Sequence, residues 1–117
     1  MILGTGIDII EIDRIKQAVD RWGEDFLNRI FTEDEIAYAQ KHTFPAQHYA
    51  ARFAVKEAIY KAFSGIIVLT WKDMTILNDL NGKPYCRFNN KDILNTVLIS
   101  ISHSKYYAVA NAIVIGD

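Results

Sequence analysis

Apolar and polar positions change period several times along the chain, and each change marks an element. Residues 2–12, ILGTGIDIIEI, are rich in β-branched side chains with Gly4 and Gly6 interspersed. The run predicts a buried strand whose backbone a neighbour approaches closely. From Asp13 the period turns helical. Ile12, Ile15, Val19, Trp22 and Phe26 share one arc, while Arg14, Ala18 and Arg21 share another, which predicts an amphipathic helix with a core stripe, outward arginines and a weak point at Gly23.

Thr32 followed by Glu35 forms a capping-box pattern, so a short helix is expected over residues 33–42. Pro45 suits the first turn of a longer helix that closes near Gly65. On its wheel Ala51, Ala54, Val55, Ala58, Ile59 and Ala62 make one apolar arc of mostly small side chains, which lets a neighbouring backbone pack close. Glu57 and Lys61 sit at the edge of that arc, beside Phe53. The rest reads as β structure: strands over residues 74–79 and 83–88 around an Asn81-Gly82 turn, then a hairpin over 97–115 turning near Ser104-Lys105. Strand, helices, strands in that order predict an α+β fold.

A chain of 117 residues fits one domain, spanning 1–117, and buries roughly 65% of its unfolded surface, which leaves little room to enclose a large ligand. A subunit interface would supply that room. The 13 basic residues are balanced by 14 acidic ones, so the electrostatic footprint of a nucleic-acid partner is missing. Cys86 stands alone, which excludes an internal disulfide and any cysteine zinc cluster. The apolar start of the chain lacks a basic leader, is interrupted by Asp8 and Glu11, and is too short for a bilayer. A cytoplasmic protein with no membrane partner is the expectation.

Several residues could carry chemistry. Burying Asp8 between Gly6 and Ile10 costs several kcal/mol unless a cation or donors compensate it, although an edge-strand or capping acid is the plainer explanation. Glu57 could join it as a second oxygen ligand for Mg²⁺, completed by water and phosphate oxygens; alternatively Glu57 and Lys61 are a surface pair at i,i+4. His103 ends the strand VLISISH between two serines, placed to serve an anion or a hydroxyl, or simply to be hydrogen-bonded. Arg52, Lys56 and Lys61 put three cations on the helix of Glu57, and on their own the first two read as a solvated basic stripe. Neither a Walker loop nor a GxGxxG loop is present, and no hydrolase triad spacing is legible.

Four blocks, GIDIIEIDRI at 6–15, RFAVKEAIYKAF at 52–63, NGKPY at 81–85 and SISHSKYYAVA at 100–110, together resemble the holo-acyl-carrier-protein synthase family of 4′-phosphopantetheinyl transferases. The resemblance spans nearly the whole chain. It implies a small antiparallel sheet with a long helix packed on it, in a single-domain protein that assembles as a homotrimer with sites between subunits. It also implies transfer of the phosphopantetheine arm of coenzyme A to a serine of apo acyl carrier protein, releasing adenosine 3′,5′-bisphosphate, in support of fatty acid biosynthesis.

By the same resemblance Asp8 and Glu57 match Mg²⁺ ligands, Lys61 matches a pyrophosphate-contacting lysine, and His103 matches the histidine ending the SxSH block. Arg52, Asn81, Gly82, Lys83 and Pro84 match positions used for the nucleotide half of coenzyme A, and Arg14, Arg21, Phe26 and Arg29 match a surface for the acidic carrier protein. In that scheme Lys61 stabilises or protonates the leaving phosphate, and Glu57 or a water on the metal takes the serine proton. The chain departs from the family in three ways: Asp13, Asp20, Glu24 and Asp25 dilute the positive face, Ser64-Gly65-Ile66 shortens a Gly-Thr-Gly-Ile turn, and Tyr60 replaces a smaller residue. Two other readings use the same residues: a non-catalytic module binding a nucleotide or protein, and a metal-dependent phosphohydrolase.

Overall fold

The computed structural model describes residues 1–116. Its elements run β1 (Ile2–Glu11), α1 (Ile12–Trp22), α2 (Glu24–Ile30), α3 (Glu33–Gln40), α4 (Pro45–Ala62), a 3₁₀ turn at Trp71–Asp73, β2 (Met74–Asn78), β3 (Pro84–Phe88), β4 (Thr96–His103) and β5 (Tyr107–Ile115). The α+β expectation holds. An antiparallel sheet has the order β1-β5-β4, and β2 and β3 form a separate hairpin.

Helix α4 organises the core. Its Ala54, Val55, Ala58, Ile59 and Ala62 are buried against Ile99, Ala110, Ala112 and Val114 of the sheet. Small side chains on the helix meet alanines on β5, so the two backbones come close, and at β1 they come closer still. A Cβ added at Gly4 or Gly6 would overlap the carbonyl oxygens of Ala62 and Ala58, so only glycine fits there. The close approach expected from the glycines of the first strand is therefore made by α4.

Among the described residues no helix covers the opposite face of the sheet, so β1 is largely exposed rather than the buried strand expected. Ile7 and Ile9 of β1 are 63% and 61% exposed, with Leu98 of β4 also open and Val109 and Ile113 of β5 half-buried beside them. The register aligns Ile9 with Val109 and Leu98 with Ile113, giving a contiguous apolar surface around Asn111.

The first helix departs from expectation. Gly23 adopts φ +55° and ψ −132°, so the chain breaks there and restarts as α2 instead of continuing as one weakened helix. The apolar arc is cut with it: Ile15 is buried, but Trp22 is exposed, and α2 buries Leu27 and Ile30 against Phe31 and Tyr49. The later punctuation holds more closely. Helix α4 ends at Ala62, and Gly65 at φ +80° closes the next turn, where Ile66 and Ile67 N–H groups donate to the Phe63 carbonyl.

Candidate active site

Asp8 lies two residues beyond Gly6 on the same face of β1, and so is carried to α4 by the close packing at that glycine. The Lys61 ammonium donates to the Ile7 carbonyl at 2.9 Å and lies 3.3 Å from Asp8 Oδ1. Glu57 is one turn earlier on α4. Burial raises its pKa above the usual carboxylate value and the Asp8 charge raises it further, while Lys61 opposes both. Two acids that repel each other beside one cation form an arrangement that a divalent ion would stabilise.

Among the described residues no group of three or more His, Cys, Asp or Glu side chains could hold a metal ion. Asp8 and Glu57 instead supply two carboxylates. That donor set suits Mg²⁺, which binds through one or two protein carboxylates and keeps its other positions for water and phosphate oxygens. Beside Glu57 opens a mostly apolar cleft of about 350 Å³, bounded by Tyr60, Leu69, Trp71 and Met74. Phe53 stacks on Trp71 with ring centroids 5.2 Å apart, fixing that wall.

A second group gathers at the N-terminal half of α4. Arg52 is 3% exposed, which corrects its reading as part of a solvated stripe: residues 52 and 56 turn inward toward α3 and the β2–β3 hairpin. The Arg52 guanidinium lies 4.0 Å above the Tyr38 ring and donates to Asn78 Oδ1 at 3.3 Å. Its Nε is buried without a partner. Asn78 Nδ2 reaches the Gly82 carbonyl at 3.5 Å, so Arg52 is tied to the loop that carries Asn81, Gly82, Lys83 and Pro84. That loop is wider than a two-residue turn: Asp79 Oδ1 accepts the N–H groups of Asn81 and Lys83.

His103 approaches the same end of α4, with its Nδ1 2.7 Å from Gln47 Nε2. Nearby, burial lowers the His48 pKa, and the neighbouring His42, Arg52 and His103 lower it further. A buried cation with an orphan donor, amid groups that disfavour more positive charge, is an arrangement an anion would satisfy.

Within one chain the acids and this cationic group stay apart. Residues 47 and 57 are ten positions apart on α4, about 15 Å along its axis. Asp8, Glu57 and Lys61 are brought together, Arg52 is joined to the 79–83 loop, and His103 is placed against Gln47 at the start of α4, away from Glu57.

Sequence reasoning missed the buried centre of the molecule. Lys56 and Glu35, both 0% exposed, form an ion pair at 2.6 Å. The capping box was legible and is present, but its Glu35 also accepts the Ile76 N–H at 2.8 Å. Nothing in the spacing of residues 35, 56 and 76 announces that meeting. Gln47, Asn78 and Tyr38 were missed for the same reason.

On the outer surface Arg14, Arg21 and Arg29 are exposed and Phe26 is half-buried. Arg21 sits 4.9 Å over the Trp22 ring, and a cleft of about 380 Å³ runs between Trp22, Phe26 and Arg29. The dilution expected from Asp20 is offset, since Lys16 pairs with it at 2.7 Å.

The model of the 4′-phosphopantetheinyl transferase superfamily matches residues 4–112. The chain belongs to that superfamily. It is 45% identical over 117 residues to the holo-[acyl-carrier-protein] synthase of Thermodesulfovibrio yellowstonii, covering 97% of this chain and 99% of that one. It is 46% identical over 121 residues to the synthase of the same name from Protochlamydia amoebophila, covering 97% and 98%. Among solved transferases of the superfamily, it is similar to the Bacillus anthracis holo-(acyl-carrier-protein) synthase in complex with CoA (3′,5′-ADP), with a TM-score of 0.83, 36% identity, and 97% and 96% of the two chains covered. It is likewise similar to the Helicobacter pylori holo-[acyl-carrier-protein] synthase in complex with coenzyme A, with a TM-score of 0.84, 29% identity, and 95% and 99% covered.

Proposed function

We propose that this transferase moves the 4′-phosphopantetheine arm of coenzyme A to a serine hydroxyl of an apo acyl carrier protein, giving the holo carrier and adenosine 3′,5′-bisphosphate in support of fatty acid biosynthesis. The observation that carries the reading is the meeting of Asp8, Glu57 and Lys61 at the β1–α4 contact, in a chain whose relatives are holo-[acyl-carrier-protein] synthases.

In-line attack on a diphosphate asks mainly for positioning and for neutralisation of oxygens that are already anionic. Asp8 and Glu57 would hold Mg²⁺, which supplies charge neutralisation across the diphosphate when bound. Lys61, freed from Asp8 by a few ångströms of side-chain motion, stabilises the leaving phosphate. Glu57, or water beside it, is placed to take the serine proton. Arg52, His103 and residues 81–84 take the nucleotide half, whose phosphates answer the orphan Arg52 donor. Arg14, Arg21, Arg29 and Phe26 receive the carrier, where opposite charge speeds encounter and fixes orientation.

The chain acts as one domain and works as a homotrimer in this proposal. The open apolar sheet face around Ile7, Ile9 and Ile113 is its natural interface, and the seating of His103 against Gln47, about 15 Å along α4 from Glu57, supports a site assembled from neighbouring protomers. Among the described residues no helix is long and apolar enough to cross a membrane. A cytoplasmic setting belongs to the same proposal and is supported by the lone thiol of Cys86.

The test is intact mass of an apo carrier protein after incubation with the enzyme, coenzyme A and Mg²⁺. A gain of one phosphopantetheine group on the serine is the expected result. Coenzyme A cleaved without carrier modification would favour the phosphohydrolase, and coenzyme A bound but unchanged would favour the non-catalytic module.

A further inference from the structure

The Lys56 ammonium makes three contacts inside the protein: the Glu35 carboxylate at 2.6 Å, the Ile30 carbonyl at 2.7 Å and the Trp71 carbonyl at 3.0 Å. Glu35 in turn accepts the Thr32 N–H at 2.9 Å and the Ile76 N–H at 2.8 Å. These two side chains therefore tie α4 at once to the end of α2, the start of α3, the 3₁₀ turn and β2. The segment they hold is the wall of the cleft that faces Glu57, and Lys56 itself lines that cleft.

A buried pair is a poor way to gain stability, because desolvation offsets most of its attraction and apolar residues of similar volume often serve as well. Its geometric effect is different. Lys56 immediately precedes Glu57, so fixing the Lys56 side chain fixes the rotation of α4 at the acid, and the bond to Trp71 fixes the distance to the opposite wall.

We propose that Lys56 and Glu35 are a positioning pair for the transfer site: they hold Glu57 and the residue 69–74 wall in one geometry, and thereby set how coenzyme A is held. The inference rests on placing Glu57 in that site. Neither residue touches the reacting groups, and both act through what they anchor.

The experiment compares wild type with Lys56→Met/Glu35→Gln. Methionine keeps the stem of Lys56, while glutamine keeps an acceptor for Ile76 and remains compatible with the capping box. Trp71 reports on the wall by acrylamide quenching in a Trp22→Phe background, and kinetics are measured in the native background. The expected result is a folded oligomer with more readily quenched Trp71, a KM for coenzyme A raised about tenfold or more, and an unchanged KM for carrier. A folded double variant with wild-type quenching and a coenzyme A KM within about twofold overturns the proposal. If the double variant does not fold, Glu35→Gln alone is judged by the same criteria. Glu57→Gln is measured alongside: full transfer in that variant removes Glu57 from the site, whereas loss there with a normal double variant sinks only the positioning role.

Discussion

The ammonium of Lys61 bridges the Ile7 carbonyl and the Asp8 carboxylate, crossing from the last turn of α4 to β1. Its position follows from Gly4 and Gly6, which let helix and strand approach until a lysine on one can reach an acid on the other. Lys61→Met should cut kcat for phosphopantetheine transfer about 100-fold, the scale of losing one electrostatic stabiliser, with the protein still folded. Steady-state kinetics check this, and an unchanged kcat would leave Lys61 as a partner of Asp8 only.

Gly6→Ala should be much more damaging than Gly23→Ala. The first places a methyl group against the Ala58 carbonyl with nothing flexible to yield, costing about 3 kcal/mol or more. The second meets open space and bears only the backbone strain of φ +55° with ψ −132°, about 1 to 3 kcal/mol. Thermal melts of the two variants decide the order, and equal melting temperatures would contradict the packing account.

His48 makes the fold sensitive to acid. Burial, then the neighbouring His42, Arg52 and His103, hold its pKa below the ordinary 6.5. As pH falls through 6.5 the unfolded chain takes up this proton before the folded one does, so stability present above 6.5 is progressively lost down to the folded value. His48→Gln should therefore flatten the fall of melting temperature below 6.5. An unchanged slope would mean that another group governs acid unfolding.

Arg14→Glu should raise KM for the carrier about tenfold or more while leaving KM for coenzyme A alone, because a charge reversal on α1 acts on encounter and docking. The effect should shrink with added salt. Equal losses for both substrates would move the docking surface elsewhere.

Ile9→Lys should dissociate the proposed trimer. It puts a charge on the apolar sheet face without disturbing the α4 side, so the monomer should keep its helical signal while sedimenting as a single chain. A trimer that survives the substitution would mean that this face is not the interface.

Much of the fold was legible because it is written locally. The capping box at Thr32 and Glu35, Pro45 at the start of α4, and the alternation that builds β4 and β5 each act within a few residues. Gly23 was legible as a weak point but not as a break, since only the packing of Leu27 and Ile30 shows that the chain gains by turning there. Asp8, Glu57 and Lys61 came from the motif blocks, whereas Lys56 looked solvated because helix spacing cannot reveal a partner from another helix. The Arg52, Asn78 and Gly82 chain of contacts was hidden likewise, being made across 26 residues and then within a loop.

The central claim is that Asp8, Glu57 and Lys61 of one protomer work with Arg52 and His103 of another. Subunit mixing addresses it most directly: Glu57→Ala and Arg52→Ala proteins, each inactive alone, are refolded together and assayed by intact mass of the carrier. The mixture should regain transfer, because some interfaces then pair an intact acid side with an intact cationic side. A mixture as inactive as its parents, while shown to contain mixed oligomers, would contradict it.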